Sequence, residues 1–518
     1  MAEASFLHLL STNFPATDLE IPGVLTAILE TERRLRLLEK QFDDLGVNAI
    51  DGGAYVADSF VPTQADEIST QLLRSQKEVR DQLLQLHSTL SPLRRLPPEI
   101  LGLVFSLALP GKGGIQMDNT FVLWRASQVC RLWREILCEG TPHIWSSIEI
   151  DCMNTEKSSM TSTLLQLALR RSGTRPLSIR FRFSRRNPFG VLTEMEESCL
   201  DLLTKESFRW RELELIYIPI AALARLNASI RNRLPLLCRL IVEDVPASLA
   251  SDTPSTAEAF GVAPRLEHFS LSGFFRPLRF RLPWSQLVSY TGSFRDLRDF
   301  FDVLACADNL TTCDVFLRNF HPGSIIEHSN LQTLRIRGAL GGLARIRAPF
   351  LQVLVLDELI IQDLVVVSAF IRRTTSIETL ELHIPHETGG RDSHDIIYEF
   401  MVACRNVSSL KLTGEIDICT ICSLLNLSDV LTSSRALIPR LAHLSLSLPP
   451  VTDAERVHLL GTMIESRLDP ILDDFDGELA PLLSLTLHVS RTAPEVIERL
   501  QPLEVSSRLK VIVVTTVI

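Results

Sequence analysis

Two stretches of this chain hold residue types at spacings that suit metal or redox chemistry. Cys419-Thr-Ile-Cys422 sets two thiols three residues apart. A structural zinc ion needs four ligands, and the nearest further thiol, Cys404, has no close Cys or His beside it in sequence. A redox pair would sit in a thioredoxin-like pattern, which is absent, so both thiols are expected to pack as small apolar groups. The second stretch, from His383-Ile-Pro-His386-Glu387 to Arg391-Asp392-Ser393-His394-Asp395, holds three His and three acids around Gly389-Gly390. Its glycines and polar content predict an exposed loop between a strand and a helix, with no metal site. Gly111-Lys112-Gly113-Gly114 lacks the upstream Gly and the following Ser or Thr of a phosphate-binding loop. With no G-x-S-x-G elbow and no H-E-x-x-H helix, neither a catalytic residue nor a cofactor can be named.

Composition narrows the classes further. The chain has 518 residues, 46% of them hydrophobic and 22% charged, which is a globular balance. Its net charge of -10 argues against the broad basic surface that nucleic acid requires, although Arg180 to Arg186 (RFRFSRR) form a local basic run. Val353 to Phe370, the longest apolar stretch, is interrupted by Asp357, Glu358, Gln362 and Asp363 and cannot span a membrane. No signal peptide is expected from MAEASFLHLLSTNF, so the protein is expected to be soluble, in the cytoplasm or nucleus, with its ten Cys mostly reduced and in the core. The sequons at Asn227, Asn309, Asn406 and Asn426 are then expected to be unused.

The elements that would position a functional surface fall into three blocks. Ile28, Leu35, Leu38, Phe42 and Leu45 form a heptad-like seam among charges, and Ile68, Leu72, Val79, Leu83, Leu86 and Leu90 form another. Gly46 to Gln64 reads as the loop between them, which favours an antiparallel hairpin over a dimer arm. In the next block, Pro97-Pro98-Glu99 opens a helix bearing Ile100, Leu101, Val104, Phe105 and Leu107. Pro110 to Gly114 ends that helix, and a second is expected from about Phe121 through Leu123, Val129, Leu132, Trp133 and Ile136 to a stop at Thr141-Pro142.

After Trp145 the pattern apolar-x-x-apolar-x-apolar recurs at intervals of about 20 to 41 residues. It begins with Trp210/Leu213/Leu215 and runs through copies such as Leu331/Leu334/Ile336 and Leu380/Leu382 after Ile377 to Leu509/Ile512/Val514, with a degenerate copy at Leu287/Tyr290/Gly292. Helical patterns at Leu297 to Ala307, Asp395 to Cys404 and Ala454 to Arg467 lie between copies. A repeated strand–helix unit cannot bury its own apolar face, so neighbours must stack into a solenoid with one curved parallel sheet. The expected fold is α/β: a helical arm over 1–90, a small all-α unit over 91–147 and a repeat solenoid over 148–518.

Leu96-Pro97-Pro98-Glu99-Ile100-Leu101 with Val104-Phe105, followed by Val129-Cys130-Arg131-Leu132-Trp133-Arg134, resembles an F-box. SPLRRLPPEIL, VCRLWREI and TPHIW together are similar to the large F-box families of mushroom-forming fungi, in which leucine-rich-like repeats follow the box. The resemblance implies a substrate-recognition adaptor whose box binds the Skp-type linker of a cullin-RING ubiquitin ligase. It implies first contacts from Leu96, Pro97, Ile100, Leu101, Val104 and Phe105, and second contacts or underlying packing from Val129, Cys130, Leu132 and Trp133. Ile100, Leu101, Val104 and Phe105 are accordingly expected to be partly exposed in the free chain. The loop Leu109 to Asn119 departs from the pattern and alters the spacing of the two helices.

Side chains alternate along a strand, so residues between the repeat leucines point to the open side of the sheet. That places Arg335, Arg337, Asp357, Glu381, His383, Lys411 and His443 as candidate contacts to a protein target, their mixed charge suiting a polar surface. Two other classes compete with the adaptor: an interaction scaffold that binds the linker without directing ubiquitin transfer, and an enzyme, which would need a pocket with paired titratable groups.

Overall fold

The computed structural model describes residues 7–12, 14–51, 64–109, 113–153, 158–185, 191–245, 257–273, 276–294, 296–318, 325–385, 393–415, 417–428, 436–448, 454–468, 479–489 and 509–515. It divides into two compact units, one of residues 1–147 with 167–175 and one of residues 148–166 with 176–518. The fold is mixed α/β, with N-terminal helices and an open, curved 15-stranded sheet.

In the first unit, helices Ile21–Asp51 and Gln64–Thr89 pack antiparallel. Val24, Ile28 and Leu86 are buried at one end, joined by Leu9 and Ala16. Further along, Gln76 Nε2 donates to the Leu38 carbonyl at 3.1 Å and Arg80 pairs with Glu39 at 2.9 Å. The heptad seams thus face each other within one chain. Residues 52–63, most of the expected loop, lie outside the described residues.

The second unit is built by one repeated step. From Leu177–Arg182 to Lys510–Thr515, the strands pair parallel with their neighbours. The register stacks like on like: Leu334 on Leu354, Leu354 on Leu380, Leu380 on Leu410 and Leu410 on Leu444. The apolar residue three before each strand leucine is buried as well, as at Leu331, Leu351, Ile377, Val407 and Leu441. Each pattern therefore fills an apolar column running across strands, at about 1.5–3 kcal/mol per side chain. In the degenerate copy Gly292 leaves space for Tyr290, whose hydroxyl would lie 2.3 Å from a Cβ there. Tightness recurs at strand ends: Gly414 has φ +99°, and its Cβ would stand 1.9 Å from the Ile384 carbonyl oxygen. Gly414→Ala is expected to cost about 1–3 kcal/mol in denaturant unfolding; an unshifted midpoint would contradict this packing.

Four sequence expectations need correction. Strands Ser147–Asp151 and Leu177–Arg182 precede the first expected copy, so the basic run lies on the sheet and is paired. Arg180 meets Glu214 at 2.8 Å, Arg182 meets Asp151 at 3.2 Å, and Arg185 stacks 3.9 Å over Tyr217; Arg186 lies outside the described residues. The final copy is shifted by one residue, Leu485 pairing with Val511 and Leu487 with Val513. KVIVVT is apolar at consecutive positions, so alternation does not choose its buried face, and Ile512, Val513 and Val514 remain 36 to 38% exposed. The expected second helix of the box is broken at Cys130, and the expected exposure of Leu101 and Phe105 fails; both are described next.

Candidate functional site

The box segment starts with an extended Pro97 before helix Pro98–Leu107. Pro98 occupies the first turn, where its missing N–H leaves no bond unmade, and Glu99 lies near the positive helix end. This short helix is apolar on two faces. Leu101 and Phe105 point inward with Gly102 and are 1% and 4% exposed. Gly102 lets the helix approach the next segment, since a Cβ there would sit 3.2 Å from Thr141 Cγ2. Phe105 meets Trp133 edge-on at 5.0 Å between ring centroids, which locks the inner face.

The outer face is where the unit leaves apolar surface in water. Ile100 is 43% exposed, Leu103 60%, Val104 46% and Leu107 84%. Their spacing of i, i+3, i+4 and i+7 makes one continuous helical stripe. Leu101 and Phe105 are therefore core residues, contrary to expectation: Phe105 packs edge-on against Trp133, and Gly102 between them brings this face of the helix close to Thr141 and Ile136. Leu103 and Leu107 take their place on the open face. Leu96 is half-buried and Pro97 exposed, extending the apolar surface past the helix start.

The second half of the box is two helices. Val122–Val129 ends at Cys130, whose extended backbone (φ -159°, ψ 170°) starts a new helix, Arg131–Glu135. Cys130 Sγ accepts the Trp133 N–H at 3.4 Å, acting as the cap of that helix. The turn frees Val129, 63% exposed, and Val122, 50% exposed one heptad earlier, while Leu132 and Trp133 are half-buried. A π-helical turn, Ile136–Gly140, follows. Below it Trp124 and Trp145 lie 4.8 Å apart, and the Arg171 guanidinium covers them at 5.1 and 4.4 Å. Trp145 Nε1 donates to the Leu137 carbonyl at 2.6 Å, which satisfies the N–H of this buried indole.

In the second unit the seven candidate target contacts lie on alternate strand positions, all of them tied to neighbours. Arg335 binds Asp357 at 2.8 Å, Arg337 binds Asp314 at 3.0 Å and Lys411 binds Glu381 at 3.1 Å. His383 Nδ1 lies 3.1 Å from Thr413 Oγ1 and His443 Nδ1 lies 2.8 Å from Ser484 Oγ. The Arg335 pKa is raised, chiefly by its hydrogen bond to Asp357. Sequence reasoning missed their partners Asp314, Thr413 and Ser484, and also His488, whose Nε2 lies 3.1 Å from Ser445 Oγ. Burial, then the Lys411 charge, lowers the His488 pKa. Register alone would have found the first three, since Asp314 pairs with Arg335, Thr413 with His383 and Ser484 with His443, whereas His488 pairs with Ser447.

Cys422 is buried, and burial raises its pKa to about 12, while Cys419 is half-buried at the start of helix Ile418–Leu425. His386, Glu387, Arg391 and Asp392 lie outside the described residues, and His394 is 3.8 Å from Asp395. Among the described residues no group of three or more His, Cys, Asp or Glu could hold a metal ion, and no helix is long and apolar enough to cross a membrane.

No curated protein matches this chain. Among solved structures, the crystal structure of the Rad7 and Elc1 complex in yeast is similar over 85% of this chain and 96% of that one, at 14% identity and a TM-score of 0.31. The helix with the exposed stripe, the Cys130 turn and the tryptophan-based core all fall within residues 93–151, which match the family described as F-box-like.

Proposed function

We propose that this protein is a non-catalytic adaptor of a Skp-cullin-F-box ubiquitin ligase, acting in the cytoplasm or nucleus. The observation that carries the reading is the stripe Ile100, Leu103, Val104 and Leu107, left open on a helix of the F-box-like segment. Large apolar side chains in one exposed row are the anchors of a protein interface, each contributing about 1 kcal/mol or more when the remaining exposure is covered. In this reading the Skp-type linker covers that row together with Leu96, Pro97 and Val129, while Leu101, Phe105, Leu132 and Trp133 hold the row in shape and Cys130 caps the second helix. Residues 1–90 form an arm, 91–147 the box and 148–518 the target-binding domain. The open side of the sheet, with Arg335, Arg337, Asp357, Glu381, His383, Lys411 and His443, receives a protein target that exchanges its own polar groups for the cross-strand pairs.

Co-expression with a Skp-type linker is expected to recover a 1:1 complex that captures a cullin and supports ubiquitin transfer to a bound target. Purified chain that neither binds the linker nor gains solubility from it would overturn the adaptor. A linker complex that never recruits cullin would instead establish the scaffold.

A further inference from the structure

We infer that Arg125 is a specificity contact of the linker interface, which the Skp-type linker meets with a carboxylate of its own. The inference rests on the adaptor reading and deepens it, because it gives the chemistry of one point on the covered surface.

Helix Val122–Val129 turns Leu123, Trp124, Ala126 and Ser127 inward. Three contacts hold that face: Trp124 lies against Trp145, its Nε1 donates to the Gln116 carbonyl at 3.0 Å, and the Ser127 carbonyl accepts from Arg134 Nε at 3.0 Å. They set which side turns outward, and that side carries Val122 and Val129, 50% and 63% exposed. Arg125 stands between the two valines. It follows Val122 by three residues and precedes Val129 by four, the spacing that puts side chains on one face of a helix.

Arginines nearby have duties within the chain. Arg131 pairs with Glu135 at 2.7 Å, Arg134 holds the Ser127 carbonyl, and Arg171 covers the two tryptophans. Arg125 is exposed, and its side chain has no hydrogen-bond or ion-pair partner among the described residues. The residues of the matched segment that lie outside the described ones, Pro110, Gly111 and Lys112, include no acid.

An exposed arginine alone requires nothing, because water solvates it. The two valines change that. A surface that covers both of them also dries the side chain between them, and a guanidinium taken from water with no anion opposite loses more than two half-exposed valines return. A carboxylate fits the need, since it accepts two parallel N–H bonds from the planar fork. A linker with an acidic side chain at that point is therefore accepted, and one with a cation there is refused.

The test is the affinity of the immobilised full chain for the purified Skp-type linker. Arg125→Leu decides between pairing and a contact that is only apolar. Leucine suits a helix as well as arginine and adds apolar surface beside the valines, so an apolar contact would hold or tighten. Pairing predicts binding weaker by about tenfold or more, because the linker carboxylate is left dry and unpaired. Arg125→Glu should weaken binding about 100-fold, and one Asp→Arg or Glu→Arg substitution among the acidic residues of the linker should restore at least about tenfold of it. Both variants should melt with the parent, and Arg298→Gln, at an exposed position of helix Leu297–Cys306, should bind as the parent does. Failure of the parent itself to bind the linker would remove the adaptor reading and this contact with it. A parent that binds, with Arg125→Leu binding equally or more tightly or with no linker substitution rescuing Arg125→Glu, would overturn the carboxylate contact and leave the adaptor reading standing.

Discussion

Replacing Ile100 and Val104 together by Asp is expected to weaken linker binding by about 100-fold or more while leaving the protein folded. Both side chains are close to half exposed, so in the free chain they contribute little to the core, and Asp in a helix costs only about 0.7 kcal/mol at each site. In a complex the same positions would bury two carboxylates against apolar surface, which costs several kcal/mol unless they are paired. Leu101→Asp makes the contrast. Leu101 is 1% exposed, so its substitution should unfold the box itself and remove binding by a different route. The two routes separate in a thermal melt of the free chain: the double variant should melt with the parent, and Leu101→Asp well below it. A double variant that binds the linker as tightly as the parent would remove the stripe from the interface.

The second large effect is on stability and comes from Arg467, which is fully buried and has no acidic partner among the described residues. Its guanidinium donates to three carbonyls: Leu425 at 2.6 Å, Ile438 at 3.1 Å and Leu437 at 2.6 Å. Burial lowers its pKa to about 10, so it stays charged at neutral pH. The Leu425 carbonyl belongs to the end of helix Ile418–Leu425, and Ile438 has the left-handed φ of 48°, so one side chain ties a helix end to a strained turn. Arg467→Met keeps much of the volume and strands three buried acceptors, each worth about 1–3 kcal/mol. A loss of about 3–6 kcal/mol in denaturant unfolding is expected. Arg467→Lys should recover only part of it, because an ammonium cannot reach three carbonyls in a planar fork. A Met variant within 1 kcal/mol of the parent would contradict the assignment.

The sequence showed much of this architecture and little of its detail, for physical reasons that differ by element. The repeat columns were legible because a parallel strand packed between neighbours needs the same apolar positions in every copy, as at Leu334, Leu354 and Leu380. The last strand was not, since Lys510–Thr515 has no alternation to set its register. In the box, Ile100, Leu101, Leu103, Val104, Phe105 and Leu107 are apolar around most of the helix, so periodicity cannot say which face turns inward. Gly102 and the aromatic Phe105 decide it, through Thr141 and Trp133, and those contacts are tertiary. The break at Cys130 is a local event without a Gly or Pro to announce it. Arg467 looked like one more charged residue on an amphipathic helix, because carbonyl acceptors leave no mark in a sequence.

The central claim is that the outer face of helix Pro98–Leu107 is covered by a Skp-type linker. Hydrogen–deuterium exchange of the full chain with and without the linker tests it most directly. Coverage predicts slowed exchange in Pro98–Leu107 and in Val122–Val129, with the strands of the sheet unchanged. Unaltered exchange over those two helices in a saturated complex would contradict it.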